Sequence, residues 1–331
     1  MSRDAVIAGF LRRHGFDPAD AEPLAQDASF RRYLRLRGRR SAVLMDAPPP
    51  EDVRPFLRLA EHLDRIGLSV PAIIGADPDA GLVLEEDLGD DLLSVLLDSA
   101  RTPPEPLFDA AIDALVVMQR ATPPAGLPPW DAALMAQTAL GTLFDWWWPA
   151  RYGKPAPDAA RADVADALAT MLEPVAAGPK TMVHRDFFAG NLLWLPDRAF
   201  HRRIGIIDFQ GAALGHPAYD LLSLLQDARR DIDPVLQARA LQRYLAARPE
   251  LDPDAFTAAY DAAAAQRHLR VACQWVRLAL RDHRPQYLAY GPRTWRLLDQ
   301  ALRRPACAPL AAALERWLPL DHRANPPGLA A

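Results

Sequence analysis

The chain has 331 residues, 50% of them hydrophobic and 24% charged, with a formal net charge of −4. That length and balance describe an ordinary globular protein with a sizeable core, in one large or two modest domains. The charge gives no general drive towards nucleic acid or an anionic membrane, and the two cysteines, Cys273 and Cys307, exclude a disulfide framework and a cysteine-rich metal site.

The opening "MSRDAVIAGFLRRHGF" is charged from its third residue and amphipathic, without the long apolar core of a signal peptide. No apolar run approaches the ~20 residues of a bilayer span, so a reducing cytoplasm is expected. Residues 3–14 predict a helix with Val6, Ile7, Phe10 and Leu11 on one face. "SFRRYLRLRGRRSAVLMDAP" reads as a β-hairpin turning around "GRR", with six arginines between positions 31 and 40 pointing outward into solvent. "EDVRPFLRLAEHLDRIG" reads as a helix with an acidic first turn, and "VPAIIGAD" and "GLVLEEDLG" as two further strands. After "DLGDD" the pattern becomes helical over 91–99, 105–121, 131–148 and 157–176, with proline clusters between. A short β interval follows ("TMV", "NLLWL", "RIGIIDF"), and from residue 217 the pattern is helical again. The expected architecture is a small β-rich lobe, then a larger helical lobe with a hairpin embedded in it.

The chemistry concentrates in "HRDFFAGN" and "IIDFQ". His184, Arg185, Asp186 and Asn191 give H-R-D-x-x-x-x-N, and Asp208 follows at the end of an apolar strand. An Asn and an Asp on neighbouring loops offer oxygen ligands to a hard cation such as Mg²⁺. The remaining carboxylate, Asp186, can orient an attacking hydroxyl. Together these are the parts for phosphoryl transfer from a nucleotide. Asp220, at the start of the apolar run in "GHPAYDLLSLL", reads as a buried anchor for backbone N–H groups of that loop.

The stretches "SFRRYLRL", "SAVLMDAPPPEDVRPF", "LVLEEDLG", "VHRDFFAGNLLW", "IGIIDFQGAALGHPAYDLLSLLQD" and "QRHLRVACQWVRLALRDHRPQYLAYGPR" occur in this order over most of the chain. In them the sequence resembles the aminoglycoside phosphotransferase-like kinases, a branch of the protein-kinase-like fold. "VLMDAPP" and "RDHRPQYL" resemble more specifically the bacterial anomeric sugar kinases that act on N-acetylmuramate and N-acetylglucosamine in cell-wall recycling. The resemblance implies an α+β, bilobal protein-kinase-like fold: a small β-rich N-lobe over 1–85 and a larger helical C-lobe over 86–331. It implies ATP and Mg²⁺, with Asp186 as catalytic base and Asn191 and Asp208 on the metal. The backbone of 84–88, around Leu84, Glu85 and Leu88, would meet adenine.

Two features depart from that pattern. There is no glycine-rich loop: the equivalent turn is "QDASFRRY", which leaves phosphate contacts to Ser29, to nearby backbone, or to Arg31 or Arg32. The strand that should carry a phosphate-binding lysine reads "AVLMDA", with Met45 in the lysine's place, and Met cannot donate a hydrogen bond. An arginine of the hairpin substitutes, or the chain is a nucleotide-binding pseudokinase. The third residue of "DFQ" is not Gly either, but this fold's small-molecule kinases often differ there.

For the acceptor, Arg267, Arg270, Gln274, Arg277, Arg281 and Arg284 recur at helical spacing as one polar stripe, with Leu269, Ala272, Cys273, Val276 and Leu280 on the apolar side. The stripe is either a solvated face or the lining of a binding cleft. A basic region disfavours polycationic aminoglycosides and suits a sugar bearing a carboxylate. "LFDWWWPARY" adds Asp145, which could bond sugar hydroxyls, and three tryptophans that read chiefly as helix-packing core. The expected partner is a small-molecule sugar, with no nucleic acid, membrane or protein partner. Another alcohol acceptor of the same fold stays open.

Overall fold

The structure, a computed structural model, describes residues 2–24, 31–38 and 40–329; Ser29 lies outside them. The chain folds as two compact units, one formed by Met1–Met118 with Ala189–Gly211, the other by Gln119–Phe188 with Ala212–Ala331.

The first unit opens with α1 (Arg3–Arg13), capped by the Ser2 hydroxyl, which accepts the Ala5 N–H. A five-stranded antiparallel sheet follows in the order β1-β2-β3-β5-β4. Its strands are β1 (Ala21–Pro23), β2 (Arg32–Arg37), β3 (Ser41–Asp46), β4 (Ile73–Asp77) and β5 (Leu82–Glu86), with α2 (Arg54–Arg65) inserted after β3. Because strand side chains alternate, the sheet has two distinct faces. Leu36, Ala42, Leu44, Leu82 and Leu84 form one apolar cluster with Ile7, Phe10 and Leu11 of α1. Tyr33, Arg35, Val43, Met45, Val83 and Glu85 therefore share the opposite face, with Tyr33 paired to Met45, Met45 to Val83 and Val43 to Glu85.

The first unit also holds α3 (Leu93–Ser99), most of α4 (Pro104–Arg120) and the hairpin of β8 (Leu192–Trp194) with β9 (Ile204–Ile206). The expected lobe boundary at residue 85 falls inside this unit. The hairpin is tied there by backbone: the Trp194 N–H donates to the Asp91 carbonyl and the Ile206 N–H to the Ser69 carbonyl, each at 2.8 Å.

In the second unit β6 (Pro129–Trp130), β7 (Thr181–Val183) and β10 (Ala213–Gly215) make a small sheet in the order β6-β10-β7. Around them lie α5 (Ala132–Thr142), α6 (Trp148–Tyr152), α7 (Asp158–Met171), α8 (Glu173–Ala177), α9 (Ala218–Leu225), α10 (Pro234–Ala246), α11 (Pro253–Arg281), α12 (Gly291–Ala301) and α13 (Ala308–Trp317). The 29-residue α11 is about 44 Å long. Its start is fixed by the Asp252 carboxylate, which accepts the Ala255 N–H at 2.8 Å, and by Pro253 in the first turn. No described helix is long and apolar enough to cross a membrane.

Several element expectations change. The helix after β3 begins at Arg54, so Glu51 and Asp52 precede it rather than fill its first turn. The helix expected over 131–148 is α5, a π turn at Leu143–Trp147, and α6. Pro149 has no N–H to continue the regular ladder there. Pro174 marks the equivalent break between α7 and α8. The hairpin arginines are not all outward: Arg35 is 7% exposed, held by Asp90 at 2.5 Å and Asp87 at 3.0 Å.

Candidate active site

In the second unit, β7 is buried at all three positions and delivers the chain into His184, Arg185 and Asp186. Asp220, fully buried in the first turn of α9, accepts the His184 N–H at 2.7 Å and the Arg185 N–H at 2.9 Å. Burial lifts the Asp220 carboxyl to about 6; the charge of His184 and the two N–H groups pull against that rise, and Asp186 adds to it. The buried His184 ring accepts the Asp186 N–H at Nδ1 (3.3 Å), and the Phe188 N–H returns to the Asp186 carbonyl at 3.1 Å. Arg185 sits at φ 75°, a region costly for a residue with a Cβ. The loop is thus pinned through its backbone, with the Asp186 side chain exposed at its tip.

In the first unit, the β8–β9 pairing brings Asn191 and Asp208 together. The Ile207 N–H donates to the Asn191 carbonyl at 3.1 Å, and the Asn191 amide reaches Asp208 Oδ2 at 3.4 Å. Asp208 also has a positive φ, 62°. Gln210 donates to Asp208 Oδ1 at 2.5 Å. Phe209 is fully buried and stacks on Phe56 of α2, centroids 4.8 Å apart. Behind the pair, Gly205 permits close packing: a Cβ there would lie 2.9 Å from Leu88 Cδ1. Among the described residues no group of three or more His, Cys, Asp and Glu is placed to hold a metal. An amide oxygen and a carboxylate still suit Mg²⁺, which takes few protein ligands and completes its shell with phosphates and water.

The sheet face bearing Met45 carries a buried polar cluster. Arg31, 11% exposed at its side chain, donates from Nε to Glu51 at 3.3 Å and hydrogen-bonds the Tyr33 hydroxyl. Burial, then the Glu85 charge, raises Tyr33 to about 12 against the pull of Arg31, and Asp208 adds to the rise. Burial lifts Glu85 to about 8, opposed by Arg31, and its Oε2 has no hydrogen-bond partner among the described residues. Arg32 belongs to the other face. With Arg3 of α1 it grips the fully buried Asp46, Nε lying 2.9 Å from Oδ2. Leu84 and Glu85 lie within the β-ladder between β3 and β4, so the first backbone beyond it is at Asp87 and Leu88.

The acceptor candidates divide. Arg267 is 3% exposed and Arg270 half-buried, whereas Arg281 is exposed and paired to Asp282 at 2.8 Å. The expected single stripe is therefore uneven, with Arg267 buried, Arg270 and Arg277 half-buried and Arg281 exposed, and Leu280, expected on the apolar side, is 41% exposed. Asp145 is exposed and committed to Arg161 at 2.7 Å. Trp147 is buried, donates to the Ala324 carbonyl at 2.9 Å and meets Trp295 edge-on; Trp148 is buried against Tyr152. Sequence reasoning missed Trp130, whose ring lies 4.2 Å under the Arg185 guanidinium and edge-on to Tyr219. It sits in a two-residue strand, too short to show a pattern.

A β-sheet unit with an inserted helix, a pinned H-R-D loop and an Asn–Asp pair define a small-molecule phosphotransferase of the protein-kinase-like fold. The chain belongs to the phosphotransferase enzyme family, whose profile matches residues 20–254. It is 39% identical to the N-acetylmuramate/N-acetylglucosamine kinase of Caulobacter vibrioides, over 97% of this chain and 98% of that one. It is 35% identical to the protein of the same name in Pseudomonas aeruginosa, over 90% of this chain and 88% of that one. Among solved structures it matches an ADP-bound aminoglycoside phosphotransferase (TM-score 0.62, 15% identity, 90% of this chain and 98% of that one). A choline/ethanolamine kinase family protein from Mesorhizobium loti matches with TM-score 0.56 and 16% identity, over 89% of this chain and 92% of that one.

Proposed function

We propose that the protein is a cytoplasmic, ATP-dependent kinase that phosphorylates the anomeric hydroxyl of N-acetylmuramate and N-acetylglucosamine in cell-wall recycling. The observation that carries this reading is the likeness to a curated kinase of those two sugars across 97% of the chain. The arginines at Arg267 and Arg270 agree with it, since they suit an anionic or neutral sugar better than a polycation.

In this reading Asp186 is the base. Its exposed carboxylate accepts a hydrogen bond from the sugar's anomeric hydroxyl and takes the proton as the new O–P bond forms and ADP leaves. The two N–H bonds to Asp220 hold the loop while this happens. Asn191 and Asp208 hold Mg²⁺, which when bound supplies positive charge to the nucleotide phosphates. Arg31, kept in place by Glu51 and Tyr33, provides the phosphate cation that Met45 cannot. Backbone beyond β5, at Asp87 and Leu88, receives the adenine.

Met45 favours one other reading, a pseudokinase that binds nucleotide without turnover. Purified protein with ATP and Mg²⁺ is offered N-acetylmuramate, N-acetylglucosamine, choline and kanamycin while ADP release is followed. Turnover of the two sugars, with phosphorus NMR showing phosphate coupled to the anomeric proton, is the expected result. Turnover of kanamycin or choline alone removes the sugar reading. Absence of ADP release with every acceptor in the panel, while ATP still binds, leaves the pseudokinase.

A further inference from the structure

The middle of α11 carries a buried charge with no ion pair among the described residues. Arg267 is 3% exposed, and its Nε and Nη1 have no hydrogen-bond partner among the described residues. A guanidinium has five N–H donors and no acceptor, so burying one without a counter-charge is costly unless a ligand supplies it. Burial is the main influence on Arg267 and lowers its basicity. Tyr219, Asp186 and Asp227 work against that, and Arg270 adds to it. Asp227 is already engaged, accepting the Arg229 N–H at 2.9 Å and Arg230 Nε at 3.3 Å.

One helical turn along, Arg270 donates to Gln274 at 2.8 Å and to the Tyr219 hydroxyl at 3.0 Å, and its Nε has no partner among the described residues. Trp130, buried beside them, lies under both Arg185 (4.2 Å) and Arg270 (5.9 Å). The second unit thus gathers two inward guanidinium groups, with the buried Trp130 ring as their support, around the loop that presents Asp186. That is the chemistry for a carboxylate, held on the planar N–H fork.

We propose that Arg267, supported by Arg270, is the recognition site for the carboxylate of the acceptor, the group by which N-acetylmuramate, a 3-O-lactyl ether, differs from N-acetylglucosamine. This rests on the sugar-kinase reading above. Arg267 then sets the preference between the two sugars without touching the reacting hydroxyl, and Arg281, exposed and paired to Asp282, has no part in it.

The test compares the two sugars as substrates for the wild type, Arg267→Gln and Arg267→Lys. Arg267→Gln is expected to lower kcat/KM for N-acetylmuramate about 30-fold or more, the scale for removing one partner of a buried charge pair. The loss falls in KM, N-acetylglucosamine changes less than about threefold, and Arg267→Lys recovers part of it. An equal fall for both sugars assigns Arg267 to holding Asp186 or the fold and overturns the proposal, as does no change for either. Should Arg267→Gln not fold, the wild type answers through the methyl ester of N-acetylmuramate: equal kcat/KM for acid and ester overturns the proposal. Calorimetric binding of acid and ester separates this outcome from failure of the kinase reading. A wild type that prefers the acid without turning it over keeps the carboxylate site and loses the kinase. One that binds neither loses both.

Discussion

Asp220 holds His184 by its backbone, not its ring: the carboxylate takes the His184 N–H at 2.7 Å and, with its other oxygen, the neighbouring Arg185 N–H at 2.9 Å. A side-chain amide in that place offers one acceptor oxygen to two donors and turns an NH₂ towards one of them. Asp220→Asn is therefore expected to lower turnover at least tenfold, since a displaced loop misplaces Asp186. Its stability should stay within about 2 kcal/mol of wild type, because the variant loses a hydrogen bond and also a costly buried charge. Kinetics with thermal melts checks both. Full activity would mean the loop holds its shape without Asp220.

Arg31 and Arg32 are adjacent in sequence and opposite in role. Arg31→Ala removes the cation beside Tyr33 on the face bearing Met45, leaving there Arg35, which is held by Asp87 and Asp90, and should lower kcat/KM for ATP about tenfold or more, as loss of a charge-assisted phosphate contact does. Arg32→Ala leaves Asp46 with Arg3 and should cost about 1 kcal/mol of stability with little change in kinetics. A reversed pattern, with Arg32 the kinetic residue, would place the phosphates against the other face of the sheet.

Glu85 makes stability fall as pH rises. Its folded carboxyl, lifted to about 8 by burial against the pull of Arg31, stands above its ordinary value of 4.5. The native state therefore holds a proton that the unfolded chain has already released. The contribution is complete below about pH 4.5 and is lost as pH climbs through 8, an effect on the order of a few kcal/mol. Glu85→Gln removes it, so the variant's Tm should gain on wild type between pH 6 and 9. Parallel Tm curves across that range would show that Glu85 does not titrate so high.

Asp186 and Asp208 should fail differently. Asp186→Asn is expected to bind nucleotide normally and to turn over about 10²-fold more slowly, the scale of a general base. Asp208→Ala should raise the Mg²⁺ concentration needed for nucleotide binding, and Asn191→Ala should do so less, since only Asp208 brings charge. An unchanged Mg²⁺ titration in Asp208→Ala would move the ion elsewhere.

The order of elements was legible because strands and helices announce themselves by period: "RYLRLR" and "SAVLMD" alternate, and α2 repeats its apolar residues every three or four positions. The His184–Asp186–Asn191 spacing was legible because short local loops fix it. What stayed hidden is set by register and distant partners. The sequence could not separate Arg31 from Arg32, since only the pairing of β2 with β3 and the packing of α1 give each its face. Nor could helical spacing tell buried Arg267 from exposed Arg281, because what covers α11 comes from elsewhere in the chain.

Met45 has a consequence for chemical probing. The chain has only two lysines, Lys154 and Lys180, and both belong to the second unit. The unit that bears Met45 has no side-chain amine at all. Nucleotide analogues that label kinases by acylating the phosphate-binding lysine will find nothing there to acylate, and neither will enzymes that acetylate lysine. Dicarbonyl reagents that condense with guanidinium groups should reach this protein instead, with ATP shielding Arg31 from them.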